Sequence, residues 1–393
     1  MIPVMRPWLG PEEAAAAADA VASGWVAQGP RVAAFEQAFA ERVGAGHGVA
    51  VSSCTTGLHL LLHLLDLGPG DEVVVPSFSF IATANAVRYT GADPVFADVC
   101  EQTGNLTPDT VAPVLTARTR AVLAVHQGGV PADVMALRAL CEPRGIPVLE
   151  DAACAAGSTY AGRPVGTGAL LAAWSFHPRK LLTTGEGGMV TTDDPEWTKR
   201  LRRLREHGMT VSAADRHAAG GAVIEEYAEV GFNYRMTDVQ AAVGLVQLGR
   251  LDAMVARRRE LAARYQVALS KVDGLRWVSD PEHGTTNYQS FWVLLPDGYP
   301  GSRNAVLAAL AYRGISARRG IMASHLEPAY RGHPHGPLPV TEKLAGRSLI
   351  LPLYHHLSEE DQDAVVDALT EVLLDGAAGD SAAGDDVAGD GGR

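Results

Sequence analysis

The 393-residue chain is poor in lysine, in cysteine and in long apolar runs. Lysines make up only four of its 33 Lys+Arg residues, at positions 180, 199, 271 and 343. The four cysteines are scattered without a CxxC pair, which is typical of free thiols in a reducing cytoplasm. No apolar run approaches the roughly 20 residues of a membrane span, and the N-terminus has no signal-peptide pattern. A net charge of −12 argues against a nucleic-acid surface. We therefore expect a cytoplasmic protein with neither membrane nor nucleic acid as a partner.

The first half of the chain alternates between short apolar strands and helices. This alternation predicts a mostly parallel sheet covered on both faces, an α/β fold. Strands are predicted at 49–52, 72–75, 94–97, 121–125 and 147–149, and helices at 12–21, 30–43, 56–67, 81–90 and 132–144.

The pattern changes after Leu171. Two further strands, 172–176 and 189–192, flank Lys180, and 196–206 is a charged amphipathic helix. The polar stretch 208–230 predicts a loop, and 237–265 has helical periodicity throughout. A strand at 288–295 and helices at 303–313 and 359–374 predict a small α+β domain. The length favours one large and one smaller domain, which we place at 1–250 and 251–375, with a disordered tail at 376–393.

Asp151 follows the buried strand that ends at Leu149. Ligands of open α/β sheets bind outside the carboxyl ends of strands, so this carboxylate is placed to meet a cofactor. Beside a pyridine nitrogen it would keep that nitrogen protonated and the ring electron-poor. An aspartate that only caps the next turn would have the same position in the sequence.

The segment 52–57, Ser-Ser-Cys-Thr-Thr-Gly, lies between a predicted strand and a predicted helix. Backbone N–H groups at a helix start, together with hydroxyls, suit a phosphate. Plain N-capping would leave the same pattern, and no GxxxxGK[ST] motif occurs in the chain.

Lys180 follows Trp-Ser-Phe-His-Pro-Arg and precedes the turn Gly-Glu-Gly-Gly at 185–188. Lys199 and Lys271 lie in charged helical patterns that fit ordinary surface lysines, whereas Lys180 does not. A lysine held at the mouth of a sheet can form a Schiff base with a carbonyl. Together, a phosphate cradle, a pyridinium carboxylate and a Schiff-base lysine are the parts that a pyridoxal 5′-phosphate enzyme needs.

Seven motifs resemble those of the DegT/DnrJ/EryC1/StrS aminotransferases. They occupy 52–58, 68–73, 76–83, 150–153, 175–180, 185–188 and 231–236. The similarity spans about Trp25 to Leu374. It implies fold type I of the pyridoxal-phosphate enzymes, the aspartate aminotransferase-like fold, with a mostly parallel seven-stranded sheet and a small C-terminal domain.

The resemblance also implies a role for each matching residue. Lys180 would bind the cofactor aldehyde and shuttle the substrate proton, and Asp151 would pair with the ring nitrogen. The remaining cofactor contacts would be the phosphate-binding Thr55, Thr56 and Ser175, the ring-stacking Phe80, and Asn233, which would reach the cofactor of a second subunit in a homodimer. Tyr234, Arg235 and His325 would lie near the substrate.

Cys154 is a departure from the family pattern, which often has Gln or His near the cofactor's phenolic oxygen at this position. A thiol is a weaker hydrogen-bond partner. Other histidines fit packing better than chemistry; His59 and His63 share one helical face, but leucines surround them, and no metal site is expected.

The function expected from this resemblance is transfer of an amino group from an amino acid, glutamate or glutamine, to a keto sugar. Pyridoxamine 5′-phosphate would carry the amino group between the two half-reactions. A nucleotide-linked sugar in amino-sugar or antibiotic biosynthesis is favoured. Alternatives are a cyclitol or other carbonyl acceptor, a sugar dehydratase, and a regulator without turnover. Related dehydratases have His at the Schiff-base position, so Lys180 argues against dehydration.

Overall fold

The computed structural model describes residues 1–211 and 224–384, the last nine of them through their backbone only. The middle of the predicted loop, 212–223, and the end of the predicted tail, 385–393, lie outside the described residues.

The described chain alternates helices and strands over most of its length. The helices are α1 Pro11–Ala22, α2 Pro30–Val43, α3 Cys54–His63, α4 Ala82–Tyr89, α5 Pro108–Val111, α6 Val134–Cys141, α7 Pro195–Leu204, α8 Asp238–Gly249, α9 Leu251–Leu269, α10 Arg303–Tyr312, α11 Pro339–Arg347 and α12 Glu359–Gly384. The strands are β1 His47–Val51, β2 Glu72–Pro76, β3 Asp93–Ala97, β4 Thr119–Val125, β5 Val148–Asp151, β6 Thr159–Tyr160, β7 Arg163–Pro164, β8 Ala172–Ser175, β9 Gly188–Thr192, β10 Arg276–Trp277, β11 Gly284–Thr285, β12 Phe291–Leu294, β13 Arg318–Arg319 and β14 Ser348–Leu351.

Seven strands form the main sheet in the order β1-β9-β8-β5-β4-β2-β3. The neighbours from β8 to β3 pair in parallel, and β9 is antiparallel to both β8 and β1. The strand residues are almost all buried, because helices cover both faces. The predicted α/β class and the seven-stranded, mostly parallel sheet of fold type I are confirmed.

Local sequence explains where the helices near the sheet begin and end. Pro30 opens α2, and Gly44 ends it in a left-handed conformation that suits glycine. Ser53 caps α3 by accepting a hydrogen bond from the Thr56 N–H. The apolar face of α2 packs on the sheet through Phe35 and Phe39, and burial of each such side chain stabilises the fold by roughly 1.5–3 kcal/mol.

The C-terminal part is built around a second sheet, in the order β10-β12-β14-β13, with all pairs antiparallel. Its core includes Tyr265 of α9, stacked on Phe291 of β12 with 4.9 Å between ring centroids. The first residues of the chain join this part, since Ile2 forms a β-bridge with Ile315. The domain division at residue 250 remains a prediction.

Three sequence predictions differ from the structure. The stretch 237–265 is two helices, since Arg250 between them has φ −98° and ψ −4° after the helix-weakening Gly249. The predicted strand at 288–295 begins only at Phe291, because Tyr288 has a left-handed φ of 49°. The last helix, predicted over 359–374, runs on to Gly384 along a stretch whose alanines favour helix.

Within the described residues, no helix is both long and apolar enough to cross a membrane.

Candidate active site

One edge of the main sheet gathers the residues singled out in the sequence. Asp151 ends β5 and Ser175 ends the parallel neighbour β8. Helix α3 starts three residues after β1, which runs in the same direction as β8, and the antiparallel β9 begins at this edge with Gly188. The loop between β8 and β9, with Lys180, therefore closes over the carboxyl ends of the strands, where such sheets bind ligands.

A cavity of about 340 Å³ opens at this edge. Six of the predicted site residues line it: Thr55, Phe80, Asp151, Cys154, Ser175 and Lys180. The volume lies within the range of small-molecule and cofactor pockets.

Lys180 has its ammonium group inside the site. Its Nζ donates a hydrogen bond to Cys154 Sγ at 3.0 Å. Burial lowers the pKa of Lys180, but two nearby cysteines and Asp151 outweigh that effect, so the pKa is raised. The lysine is thus held as a cation whose proton has an acceptor at Sγ.

Asp151 is a buried carboxylate with two hydrogen-bond donors. Thr83 Oγ1 donates to Oδ2 at 2.9 Å, and the Ala153 N–H donates to Oδ1 at 3.1 Å. Burial raises the pKa of Asp151, although both donors and the charge of Lys180 oppose it. A cationic partner in the cavity would stabilise the ionised carboxylate.

The start of α3 contributes a hydroxyl-rich part of the cavity lining. Ser53 and Thr55 line it, and the N–H groups of the first helical turn precede the first intrahelical bond, from Gly57 N–H to Ser53 C=O. Gly188 permits this packing, because a Cβ there would lie 2.6 Å from Cys54 N. Together with Ser175, which also lines the cavity, this part suits an anion such as a phosphate.

Phe80 adds a flat apolar surface to the cavity lining. It lies just before α4, lines the cavity, and remains 62% exposed although it is a large aromatic. A buried carboxylate, an aromatic face, a lysine amine and an anion-binding helix start fit a phosphorylated pyridine aldehyde.

Comparison with known proteins gives the same result. The sequence profile of the DegT/DnrJ/EryC1/StrS aminotransferase family matches residues 7–370. The chain belongs to this family. It is accordingly a pyridoxal 5′-phosphate-dependent aminotransferase.

Several solved structures share this fold over their whole length. The aminotransferase TlmJ from Streptoalloteichus hindustanus is 42% identical, with a TM-score of 0.88 over 95% of this chain and 99% of that one. DesI, crystallised in the presence of its TDP-sugar product, is 34% identical, with a TM-score of 0.86 over 98% and 96%. Spr1654 from Streptococcus pneumoniae, solved in its PMP form, is 26% identical, with a TM-score of 0.90 over 96% and 100%.

The other predicted site residues do not line this cavity. Thr56 uses its hydroxyl in the cap of α3, where it donates to Ser53 C=O at 2.8 Å. Asn233 is exposed, and its backbone forms a β-bridge with Glu206. None of these contacts involves Lys180 or Asp151.

The three residues predicted near the substrate have separate surroundings. Tyr234 stacks on Phe232, and its hydroxyl lies 3.1 Å from His59 Nδ1. His325 is buried, with Nδ1 2.6 Å from Ser77 Oγ. Arg235 is half-buried and forms no side-chain hydrogen bond or ion pair with the residues described.

Sequence reasoning missed several residues that the fold brings to the site. Thr83 is one of them, although it is the last residue of the motif at 76–83. Nothing in its distance from Asp151 along the chain indicated that the two side chains are in contact. The cavity lining also includes Gln127, His177 and Glu186. His177 Nε2 lies 3.9 Å from Glu186 Oε1, and burial lowers the pKa of His177 more than Glu186 raises it.

Proposed function

We propose that this aminotransferase moves an amino group from an amino acid, glutamate or glutamine, to the carbonyl carbon of a keto sugar. The placement of Lys180 and Asp151 in one cavity is the observation that supports this most strongly. A nucleotide-linked sugar is the favoured acceptor, since DesI, 34% identical, was crystallised with a TDP-sugar product. The expected setting is amino-sugar or antibiotic biosynthesis.

Lys180 is the catalytic amine in this proposal. Pyridoxal 5′-phosphate supplies an aldehyde for that amine and a ring that withdraws electrons from the reacting carbon. The Lys180 amine would hold the cofactor at rest and, once free, would take a proton from the substrate carbon and give it back in the course of the transfer. Cys154 Sγ, 3.0 Å away, accepts a hydrogen bond from Nζ and holds the side chain in place.

Asp151 would pair with the ring nitrogen of the cofactor and keep it protonated. Its own environment supports this role, because Thr83 and the Ala153 N–H fix both oxygens. Thr55 and Ser175 would hold the phosphate, and Phe80 would cover the ring. Thr56 fixes the turn that presents Thr55.

Asn233 supports a homodimer with shared active sites. It is exposed and outside the lining of its own chain's cavity, so a phosphate in a second subunit is the partner that we propose for it. The mass of the protein in solution tests the dimer, and Asn233→Ala should lower cofactor affinity without changing the lining of its own site.

The alternatives remain distinguishable. A cyclitol acceptor would use the same cofactor residues, and a regulator would bind cofactor without turnover. Dehydration is disfavoured by Lys180. The cytoplasm is the compartment we expect, in keeping with four cysteines that form no disulfide.

The test is a two-step screen. The protein with cofactor is converted with glutamate or glutamine, and the visible absorbance of the lysine-bound cofactor should fall. Keto-sugar nucleotides, free keto sugars and ketocyclitols are then added one at a time, and the acceptor should restore the absorbance. No change with any donor would refute the proposal, and recovery with ketocyclitols alone would change the acceptor.

A further inference from the structure

The segment 287–289, just before β12, reaches from the C-terminal part into the active site. Gln289 is 9% exposed, and its amide contacts the backbone on both sides of Lys180. Its Oε1 accepts from the Leu181 N–H at 3.0 Å, and its Nε2 donates to Arg179 C=O at 2.5 Å. One side chain therefore fixes the residues immediately before and after the lysine.

Asn287 holds the backbone at Cys154, another residue that lines the same cavity. It is 1% exposed, and its Nδ2 donates to Cys154 C=O and to Ala156 C=O, both at 2.8 Å. Its Oδ1 accepts from the Gln289 N–H at 2.8 Å, which connects the two amides. The turn at Gly129 comes so close that a Cβ there would lie 1.9 Å from Asn287 Oδ1.

The segment is itself held in an unfavourable conformation. Tyr288 between the two amides has φ 49°, a region that bulky residues rarely occupy. The guanidinium of Arg258 on α9 donates to Tyr288 C=O at 3.0 Å and to Gln289 C=O at 3.2 Å. Burial lowers the pKa of Arg258 to about 10, so the anchor is a cation at neutral pH. Such strain persists only where the surroundings impose the conformation.

We propose that Gln289 is a positioning residue for the catalytic lysine. By fixing Arg179 C=O and the Leu181 N–H, it sets the direction from which Lys180 enters the cavity, and it links that direction to the C-terminal part of the chain. The inference rests on the proposed function, in which Lys180 binds the cofactor and moves the proton. Proton transfer is sensitive to misplacement of the amine by about 1 Å.

The experiment compares Gln289→Met with Gln362→Met in the full chain with cofactor. Methionine keeps the length of the side chain and removes both hydrogen bonds. Gln362 is a matched control, because it is also a buried glutamine of the C-terminal part that donates to a backbone carbonyl, Leu261 C=O at 2.7 Å. Thermal unfolding, donor kinetics and the pH dependence of the cofactor's visible absorbance are measured for each protein.

We expect Gln289→Met to lower kcat about 10- to 100-fold with donor KM little changed. The pH midpoint of the absorbance should also move by about half a unit or more, because the lysine nitrogen that titrates has moved. Gln362→Met should keep the kcat and pH midpoint of the wild type, whatever its change in thermal stability. Gln289→Glu keeps the acceptor for the Leu181 N–H, so its kcat should lie between those of Gln289→Met and the wild type. It takes the place of the methionine variant if that variant does not fold.

Wild-type kcat and pH midpoint in Gln289→Met, or equal changes in Gln362→Met, would overturn the inference. Borohydride reduction of the wild type, followed by peptide mass mapping, separates this from failure of the proposed function. Cofactor on a lysine other than Lys180 would overturn both.

Discussion

The hydroxyl of Thr83 offers a sharp test of how this site controls its cofactor. Thr83 is 1% exposed on α4 and donates to Asp151 Oδ2 at 2.9 Å, while Ser79 Oγ lies 2.9 Å from the same Thr83 oxygen. Thr83→Val keeps the shape and removes the donor. Of the two donors to the Asp151 carboxylate, Thr83 Oγ1 and the Ala153 N–H, only the Ala153 N–H would then remain.

The expected magnitude follows from the charge of the acceptor. A hydrogen bond to a charged group contributes about 1.5–3 kcal/mol. If that loss falls on the complex in which the ionised carboxylate faces the ring, the Kd of the cofactor rises about 10- to 100-fold. The assay is a titration of the cofactor-free protein with pyridoxal 5′-phosphate, followed by its visible absorbance, together with kcat at saturating cofactor.

Two variants control for loss of a buried hydroxyl in general. Thr83→Ser keeps the donor and should bind cofactor with nearly wild-type affinity. Thr198→Val removes another buried hydroxyl, which donates to Asp194 C=O at 2.8 Å in α7. Wild-type affinity and kcat in Thr83→Val, or the same loss in Thr198→Val, would refute the role of Thr83.

Further predictions concern pH and the lysine's neighbour. Burial raises the pKa of Asp151, so ionisation of this carboxyl destabilises the cofactor-free fold as the pH rises. Asp151→Asn should therefore raise the unfolding temperature of the cofactor-free protein at pH 7, and the difference from wild type should vanish below pH 3.8. The increase in unfolding temperature that cofactor gives the wild type should be lost in this variant. Burial, then the neighbouring His63, lowers the pKa of His59 from 6.5 to about 4, so its contribution to stability is lost as the pH falls through this window. The free energy of unfolding of His59→Gln should depend less on pH between 6.5 and about 4 than that of the wild type. His63→Gln serves as the comparison. The same pH dependence in His59→Gln and wild type would contradict this. Cys154→Gln replaces the thiol that accepts from Lys180, and it should change the pH dependence of the cofactor's absorbance; an unchanged profile would show that Cys154 does not tune the ring.

The sequence predicted the main sheet well because its strands are short, apolar and separated by helices. Asp151 could be placed at the ligand-binding edge for the same reason, since it follows an apolar run that ends there. The family resemblance then assigned a chemistry that the patterns alone left open.

Contacts between distant segments could not be predicted in this way. Thr83 and Asp151 lie on different elements, and Gln289 reaches the backbone on either side of Lys180 from beyond two long helices. The left-handed backbone of Tyr288 was not predicted within the strand expected at 288–295. Periodicity indicates which residues are apolar and carries no information on backbone strain. His325 matched a substrate-lining region, yet its ring nitrogen faces Ser77, a residue 248 positions away.

The scarcity of lysine makes the central claim directly measurable. The protein with bound cofactor is reduced with borohydride, digested, and its four lysine-containing regions are mapped by mass spectrometry. The account predicts that the cofactor is attached to Lys180 alone, and that Lys180→Ala has neither the attachment nor the visible absorbance. Attachment to Lys199, Lys271 or Lys343, or full turnover by Lys180→Ala, would contradict it.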